Sequence, residues 1–290
     1  MARVVLEKEE MQHYQQLQSA CGIAACLMIL APGVNESIGN FLDAVGQRVK
    51  STFPSMSDWI DDTQSRHQVA CALIILKAAQ SKEIHDCLTE YDPENYEYIQ
   101  EVITYELRKR MKGKVGRGKS LEKRLDSYLK NGKLDNVFLR EYTTRIKTDV
   151  ELKLLLACFG YRFTRFPYSP DGTGSINLEM IDHVIKSGLI QDDAMNNYDE
   201  ILEFMLTFLK VNFSKGHVLI NTGFHWVPAV KLQLEDRRFP ELYYLDSTHQ
   251  QGDLVKLMEW KSSKWFYLFQ MDPKLKKAIS SVVSSIMGID

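Results

Sequence analysis

A cysteine and a glycine at the mouth of an apolar run form the pattern in this chain best suited to chemistry. Cys21-Gly22-Ile23-Ala24-Ala25-Cys26-Leu27-Met28-Ile29-Leu30 follows a glutamine-rich lead-in, Gln15-Gln16-Leu17-Gln18-Ser19-Ala20, and stops at Pro32-Gly33. The run has no polar face, so it predicts a helix buried on most sides, with Cys21 at or just before its first turn. In that position the unpaired backbone N–H groups and the positive end of the helix dipole favour thiolate over thiol. Taken alone, Cys21 reads as a small buried core residue. Two other residues change that reading.

A thiolate nucleophile needs a base, and the base needs a group to orient it. The chain has seven His. His13, His67, His85 and His183 lie in helical or polar N-terminal contexts, His217 opens a predicted strand, and His249 falls in a polar loop. His225, in Gly223-Phe224-His225-Trp226-Val227, begins the next predicted strand. One strand later, Tyr244-Leu245-Asp246-Ser247-Thr248 places an acid at a strand end, with Glu235-Asp236-Arg237-Arg238 as the hairpin turn. In adjacent antiparallel strands the start of one lies beside the end of the next, so His225 and Asp246 are predicted neighbours. Asp246 then orients the imidazole and sets its tautomer.

In this order the residues resemble the papain-like cysteine peptidases, and more closely their C39-like branch. That branch carries a Gln six residues before a Cys-Gly-x-Ala helix start, then a strand opening with His and an Asp at the end of the following strand. Gln15, Cys21-Gly22-Ile23-Ala24, His225-Trp226 and Tyr244-Leu245-Asp246 fall on it in sequence. The resemblance implies Cys21 as nucleophile, His225 as general base and acid, Asp246 as orienter, and Gln15 as a donor to the oxyanion beside the Cys21 backbone N–H. Gln18, three residues before Cys21, is the weaker candidate for that last role. Ala20 stands where many members have Asp, and residues 51–146 have no counterpart. The implied activity is cleavage of a peptide or isopeptide amide in a protein substrate, with no metal or cofactor. Glutamine deamidation, transglutamination, or a papain-like binding module without turnover are the alternatives.

The elements that must position these residues divide by composition. After the Cys21 helix, a helical pattern begins near Ser37, and residues from about Met56 to Ile146 read as helical. Asp149 to Phe159 is an apolar helix closed by Gly160. Tyr161 to Phe166 alternates as a strand, and helices are predicted at Leu178–Ser187 and Tyr198–Leu209. His217–Asn221, Trp226–Leu234, Leu242–Leu245 and Trp265–Met271 are β-branched and aromatic runs that predict a short antiparallel sheet. Leu275 to Met287 places its apolar residues on one helical face. The fold class is therefore α+β. Residues 1–50 and 147–290 are expected to form a papain-like catalytic core, and 51–146 a helical insertion or subdomain.

Composition sets the remaining bounds. Hydrophobic residues are 44% and charged residues 26%, ordinary for a globular protein, and the net charge of −2 carries no bias towards nucleic acid. The five Cys include no C-x-x-C pair, so neither a disulfide framework nor a zinc cluster is expected, and a reducing compartment fits. Met1 to Gln18 lacks an apolar core, so no Sec signal peptide is expected, and no apolar run reaches the about 18 residues needed to span a bilayer. The expected location is a cytosol, either that of the producing cell or that of a host reached by a translocated bacterial effector. Gly113 to Ser120 satisfies G-x4-G-K-S, but a charged helical pattern rather than a buried strand precedes it, so nucleotide binding is not expected. The basic stretch Arg108 to Lys119 and the C-terminal helix are the two surfaces offered for an acidic partner or a membrane.

Overall fold

A helix that is apolar all round is stable in water only where other elements enclose it. In the computed structural model, which describes residues 4–111, 118–146, 148–164, 175–176, 213–223, 225–235, 241–249, 252–257 and 265–289, helices do so. The elements in order are β1 (Val4–Glu7), α1 (Cys21–Leu30), α2 (Glu36–Thr52), a 3-10 turn (Pro54–Trp59), α3 (Thr63–Gln80), α4 (Lys82–Tyr91), α5 (Pro93–Tyr96), α6 (Ile99–Met111), α7 (Gly118–Asn131), α8 (Asn136–Thr143) and α9 (Asp149–Cys158). They are followed by β2 (Tyr161–Thr164), β3 (Ser175–Ile176), β4 (His217–Asn221), β5 (Trp226–Leu234), β6 (Glu241–Leu245), β7 (Leu254–Lys256), β8 (Trp265–Met271) and α10 (Pro273–Met287). The class is α+β, as the composition predicts. The predicted helices at 178–187 and 198–209 and most of the turn at 235–238 lie outside the described residues. Among the described residues, no helix is long and apolar enough to cross a membrane.

Contacts group the chain into two units: residues 16–161 with 272–290, and residues 1–15 with 162–271. This division runs elsewhere than the expected boundaries at 50/51 and 146/147. Residues 51–146 share one core with the Cys21 helix, because a helix buried on every side needs more partners than residues 1–50 can supply.

In the helical unit all ten residues of α1 are buried, and α1 packs on α3 and α9. Those two helices supply Val69, Ile74, Ile75, Leu152, Leu155 and Leu156, all at or near zero exposure. Each large apolar side chain so enclosed contributes on the order of 2 kcal/mol. Local signals set the helix ends. Asn35, Asp62, Ser81, Asp135 and Thr148 each accept a backbone N–H as N-caps, and Thr148 with Glu151 completes a capping box. Gly160 ends α9 with φ 84°, and a Cβ there would lie 2.4 Å from Cβ of Lys276, so glycine also permits the close approach of α10. The apolar face of α10 (Leu275, Ile279, Val283, Met287) is buried against α3, α4 and α9. Arg48 donates to the Met287 and Gly288 carbonyls, and Lys77 to that of Ile286 at 2.9 Å, satisfying the helix C-terminus. The face of α10 offered to a membrane is thus occupied inside its own unit.

A buried charge also belongs to this core. Glu151, at zero exposure, takes Arg110 Nη2 at 2.5 Å and the Tyr142 hydroxyl at 2.9 Å on one oxygen, and Thr148 Oγ1 at 2.7 Å on the other. Arg110 also donates to the Arg145 carbonyl. The cluster ties α6, α8 and α9 together and turns Arg110, the third residue of the basic stretch, inward. Residues 112–117 of that stretch lie outside the described residues.

The sheet unit carries an eight-stranded sheet among the described residues, of order β2-β8-β4-β5-β6-β7, with β1 added to β5 and β3 to β8. Every strand pairing whose register is described is antiparallel, as the spacing predicts. Strand β5 is its centre, pairing with β4 through Trp226–Pro228, with β1 through Lys231–Leu234, and with β6 along its other edge. Pro228, which has no N–H to donate, sits opposite Leu219 where β5 changes partners, and the register with β6 slips between Ala229 and Lys231.

Two predictions follow from these interiors. Arg110→Ala leaves the Glu151 carboxylate buried without its counter-charge and should cost about 3 to 5 kcal/mol in urea unfolding. Lys109→Ala, an exposed neighbour, should stay within about 0.5 kcal/mol. Equal effects would show that the cluster is not a structural charge pair. On β4, burial and the nearby Lys8 depress the pKa of His217 to about 4 from an ordinary 6.5, against the opposing pull of Glu10. A histidine with a depressed folded pKa contributes stability that is present above its unfolded pKa and lost as pH falls through the folded one. Unfolding free energy should therefore decline between pH 6.5 and pH 4, and His217→Gln should flatten that decline.

Candidate active site

Cys21 is the first residue of α1 and is 7% exposed. Ala20 precedes it without a side-chain cap, and the first turn of α1 holds no acidic residue, so nothing covalently near neutralises the positive end of the dipole. The entry is held by a polar residue of α3. Gln68, 1% exposed, accepts the Leu17 N–H at 2.7 Å, and the Ala20 N–H turns back to the Leu17 carbonyl at 3.2 Å. Between them Gln18 takes φ 54°, a left-handed conformation that a residue with a Cβ adopts at a cost. Gly22 is required by packing: a Cβ there would meet the Leu152 methyls at 3.0 and 3.2 Å.

The other four cysteines sit in different surroundings. Burial pushes the thiols of Cys26 and Cys71 far up and that of Cys158 to about 12. Cys87, half-buried, is raised by burial and by Glu90. None of the four is at a helix start, and at neutral pH all four are thiols.

His225 stands at the end of the loop joining β4 and β5. Its carbonyl accepts both the Thr222 N–H at 2.9 Å and the Thr222 hydroxyl at 3.1 Å, Gly223 supplies φ 92°, and the Gly223 N–H donates to Asn221 Oδ1 at 2.7 Å. The pairing Ala229 with Tyr244 brings the loop beside the end of β6. There His225 Nε2 lies 2.9 Å from Asp246 Oδ1. An ionised carboxylate only accepts, so Nε2 carries the hydrogen and Nδ1 is the basic nitrogen of the neutral ring. The adjacent Trp226, 4% exposed, packs against Tyr267 with centroids 5.4 Å apart and stiffens the base of the strand.

Asp246 is itself held in place. Thr248 donates to Oδ1 from its backbone N–H at 2.8 Å and from its hydroxyl at 2.7 Å. Burial opposes the charge, but the two Thr248 bonds and His225 outweigh it and keep this carboxyl below the usual aspartate range. The Asp246 carbonyl lies 2.9 Å from His13 Nε2, and Gly252 lets the His13 Cβ come so near that an added Cβ would stand 2.8 Å away.

Of the four candidate residues, three chosen by type and spacing and Gln15 by the resemblance, His225 and Asp246 are brought together in the sheet unit. Gln15 belongs to the same unit, exposed and two residues from His13, hence at most about 7 Å of chain from it. Cys21 belongs to the helical unit. Three supporting residues escaped the spacing argument. Thr248 was legible as the third residue of an Asp-Ser-Thr turn, whereas His13 and Gln68 act across sequence separations of 233 and 51 residues that no local pattern reports. Among the described residues, no group of three or more His, Cys, Asp or Glu is arranged to hold a metal ion. Compared with models of protein families, with curated proteins and with solved structures, the chain matches none.

The hold of Thr248 on Asp246 is testable. A carboxyl with a depressed folded pKa contributes stability that is present above its unfolded pKa and lost as pH falls through the folded one. Thr248→Val keeps the backbone donor and removes the hydroxyl. The Asp246 titration, followed by carbon-13 NMR, should move up towards 3.8, and the acid-side loss of stability should weaken. An unmoved titration would show that the hydroxyl does not hold the charge.

Proposed function

We propose that the chain is a cysteine-dependent amide hydrolase of papain-like organisation acting on a protein or peptide. The observation that carries this reading is the 2.9 Å contact of His225 Nε2 with Asp246 Oδ1, which makes Nδ1 the base. An acid–imidazole pair fixed in one tautomer, on a strand following an uncapped helix that starts with Cys-Gly, is the equipment of a thiol acyl-transfer enzyme.

In the proposed reaction the Cys21 thiol gives its proton to Nδ1 of His225. Its sulfur attacks the amide carbonyl carbon, and the carbonyl π pair moves to oxygen. That oxyanion accepts hydrogen bonds from the Cys21 backbone N–H and the Gln15 side chain. As the C–N bond breaks, the imidazolium protonates the leaving nitrogen, and a thioester remains on Cys21. Water, deprotonated by His225, attacks the thioester and releases the acid and the thiolate. Asp246 stays ionised throughout and stabilises the imidazolium, and no step draws on a metal or redox cofactor. Because these residues act on the acyl group alone, deamidation of a glutamine side chain or transfer to a lysine amine uses the same steps, with ammonia leaving or an amine replacing water.

Labelling of the full chain with limiting iodoacetamide at pH 7, located by peptide mass mapping, tests the reading. Cys21 should react at least about tenfold faster than Cys26, Cys71, Cys87 or Cys158. His225→Ala should remove most of that advantage, and Asp246→Asn a smaller part of it. A Cys21 rate equal to that of the other four, or one indifferent to His225, sinks the reading.

A further inference from the structure

Within the helical unit, a cavity of about 410 Å³ opens between the 3-10 turn, α8 and the strained turn before α1. Gln18 lines it, and Met56 and Val137 form its apolar part. Its size is that of a small-ligand or side-chain site. The chain between Gln18 and Cys21 spans three residues, so the Gln18 wall lies at most about 11 Å from the Cys21 Cα.

The charge on this wall has one sign. The exposed Arg140 guanidinium lies over the Trp59 ring, 5.1 Å from its centroid, and has no carboxylate partner among the described residues. Glu141, the acid that also lines the cavity, is neutralised by Arg145, whose Nε and Nη2 donate to it at 3.1 and 2.7 Å. Of the other polar walls, Thr144 gives its hydroxyl hydrogen to the Glu141 carbonyl at 3.1 Å, and Ser55 and Gln18 are left as donors. Asn136 Nδ2 gives its hydrogen to Ser55 Oγ at 2.5 Å, which turns the Ser55 hydroxyl hydrogen elsewhere, and the exposed Gln18 amide makes no hydrogen bond among the described residues. The indole N–H of Trp59 is likewise buried with no acceptor among the described residues. A guanidinium held over an aromatic ring keeps its planar fork of donors for the two oxygens of a carboxylate.

We propose that this cavity binds an acidic side chain of the polypeptide substrate, with Arg140 as its anchor and Gln18 as a second donor. An extended peptide advances about 3.3 Å per residue, so a Glu or Asp within about four residues of the bond attacked by Cys21 reaches it. The left-handed φ of Gln18 then has a use: it turns the chain out of the α1 helical path at a residue that lines the cavity. As a statement about substrate this rests on the amide-hydrolase reading. As a binding site it stands alone, and the two fail separately.

The test uses full-length Cys21→Ala protein and Gly/Ser heptapeptides, N-acetylated and C-amidated, that carry one Glu or one Gln at each position in turn. Calorimetry at about 0.1 M salt should find Glu peptides binding about tenfold or more tighter than their Gln counterparts. Adding Arg140→Gln should reduce the Glu peptides to the Gln level without moving the thermal midpoint, and Arg140→Lys, which keeps charge but not the fork, should retain part of the preference. Equal binding of Glu and Gln peptides, no measurable binding by any Glu peptide, or a preference that survives Arg140→Gln overturns the proposal. Turnover plays no part in this assay and the cavity plays none in the labelling of Cys21, so either idea can fall while the other stands.

Discussion

The constraint on which the helical unit depends is the burial of α1 on all its faces. Ten consecutive residues without a polar side must be covered from every direction, and α3 and α9 supply much of that cover with apolar side chains. Because apolar enclosure is non-directional, it does not by itself set the register of helices. The directional part comes from the few buried polar groups: Gln68 fixing the entry at Leu17, and Glu151 drawing Arg110, Tyr142 and Thr148 to one point. Cys21 inherits a defined position from that combination, at a helix start anchored from behind by packing and from the side by an amide.

The sheet unit solves a different problem. An imidazole on a loop has two rotatable bonds and two interchangeable nitrogens, so a base on a flexible hairpin would be poorly directed. Here the hairpin is short, its two ends are tied by the Thr222 bonds to the His225 carbonyl, and the ring is tied to an acid that is itself pinned by Thr248 and faced by His13 at its carbonyl. Each bond lowers the number of orientations left to the next, which is how a surface hairpin acquires the order that a catalytic group would need.

The contrast among the cysteines is instructive in the same terms. Cys26 lies within the same helix as Cys21 and Cys71 in the apolar stretch of α3, and burial pushes both thiols up and keeps them protonated. Position along the helix, rather than hydrophobic surroundings, separates a core thiol from a candidate nucleophile, since only the first turn presents unpaired N–H groups. The same logic places Arg110 and Arg140 apart. Both are helical arginines of the same unit, yet one is committed to Glu151 and the other is held over Trp59 without an acid, and the sequence of charges along the chain does not distinguish them.

What could be read from residues alone was what local physics dictates. The apolar run predicts α1 and the place of Cys21 at its start, Gly160 predicts the end of α9, β-branched runs predict β4, β5, β6 and β8, and antiparallel adjacency predicts that His225 meets Asp246. These succeed because helix periodicity, caps and hairpin pairing are decided within a few residues or between consecutive strands. Tertiary structure decided the rest. It set the grouping of residues 51–146 with α1, the inward turn of Arg110, the hold of Gln68 on Leu17, the approach of His13 to Asp246, and the cavity that Arg140 and Gln18 line. Each of these is a contact between segments far apart in the chain, where many partners satisfy the same hydrophobic or hydrogen-bonding need and only the packed arrangement selects one.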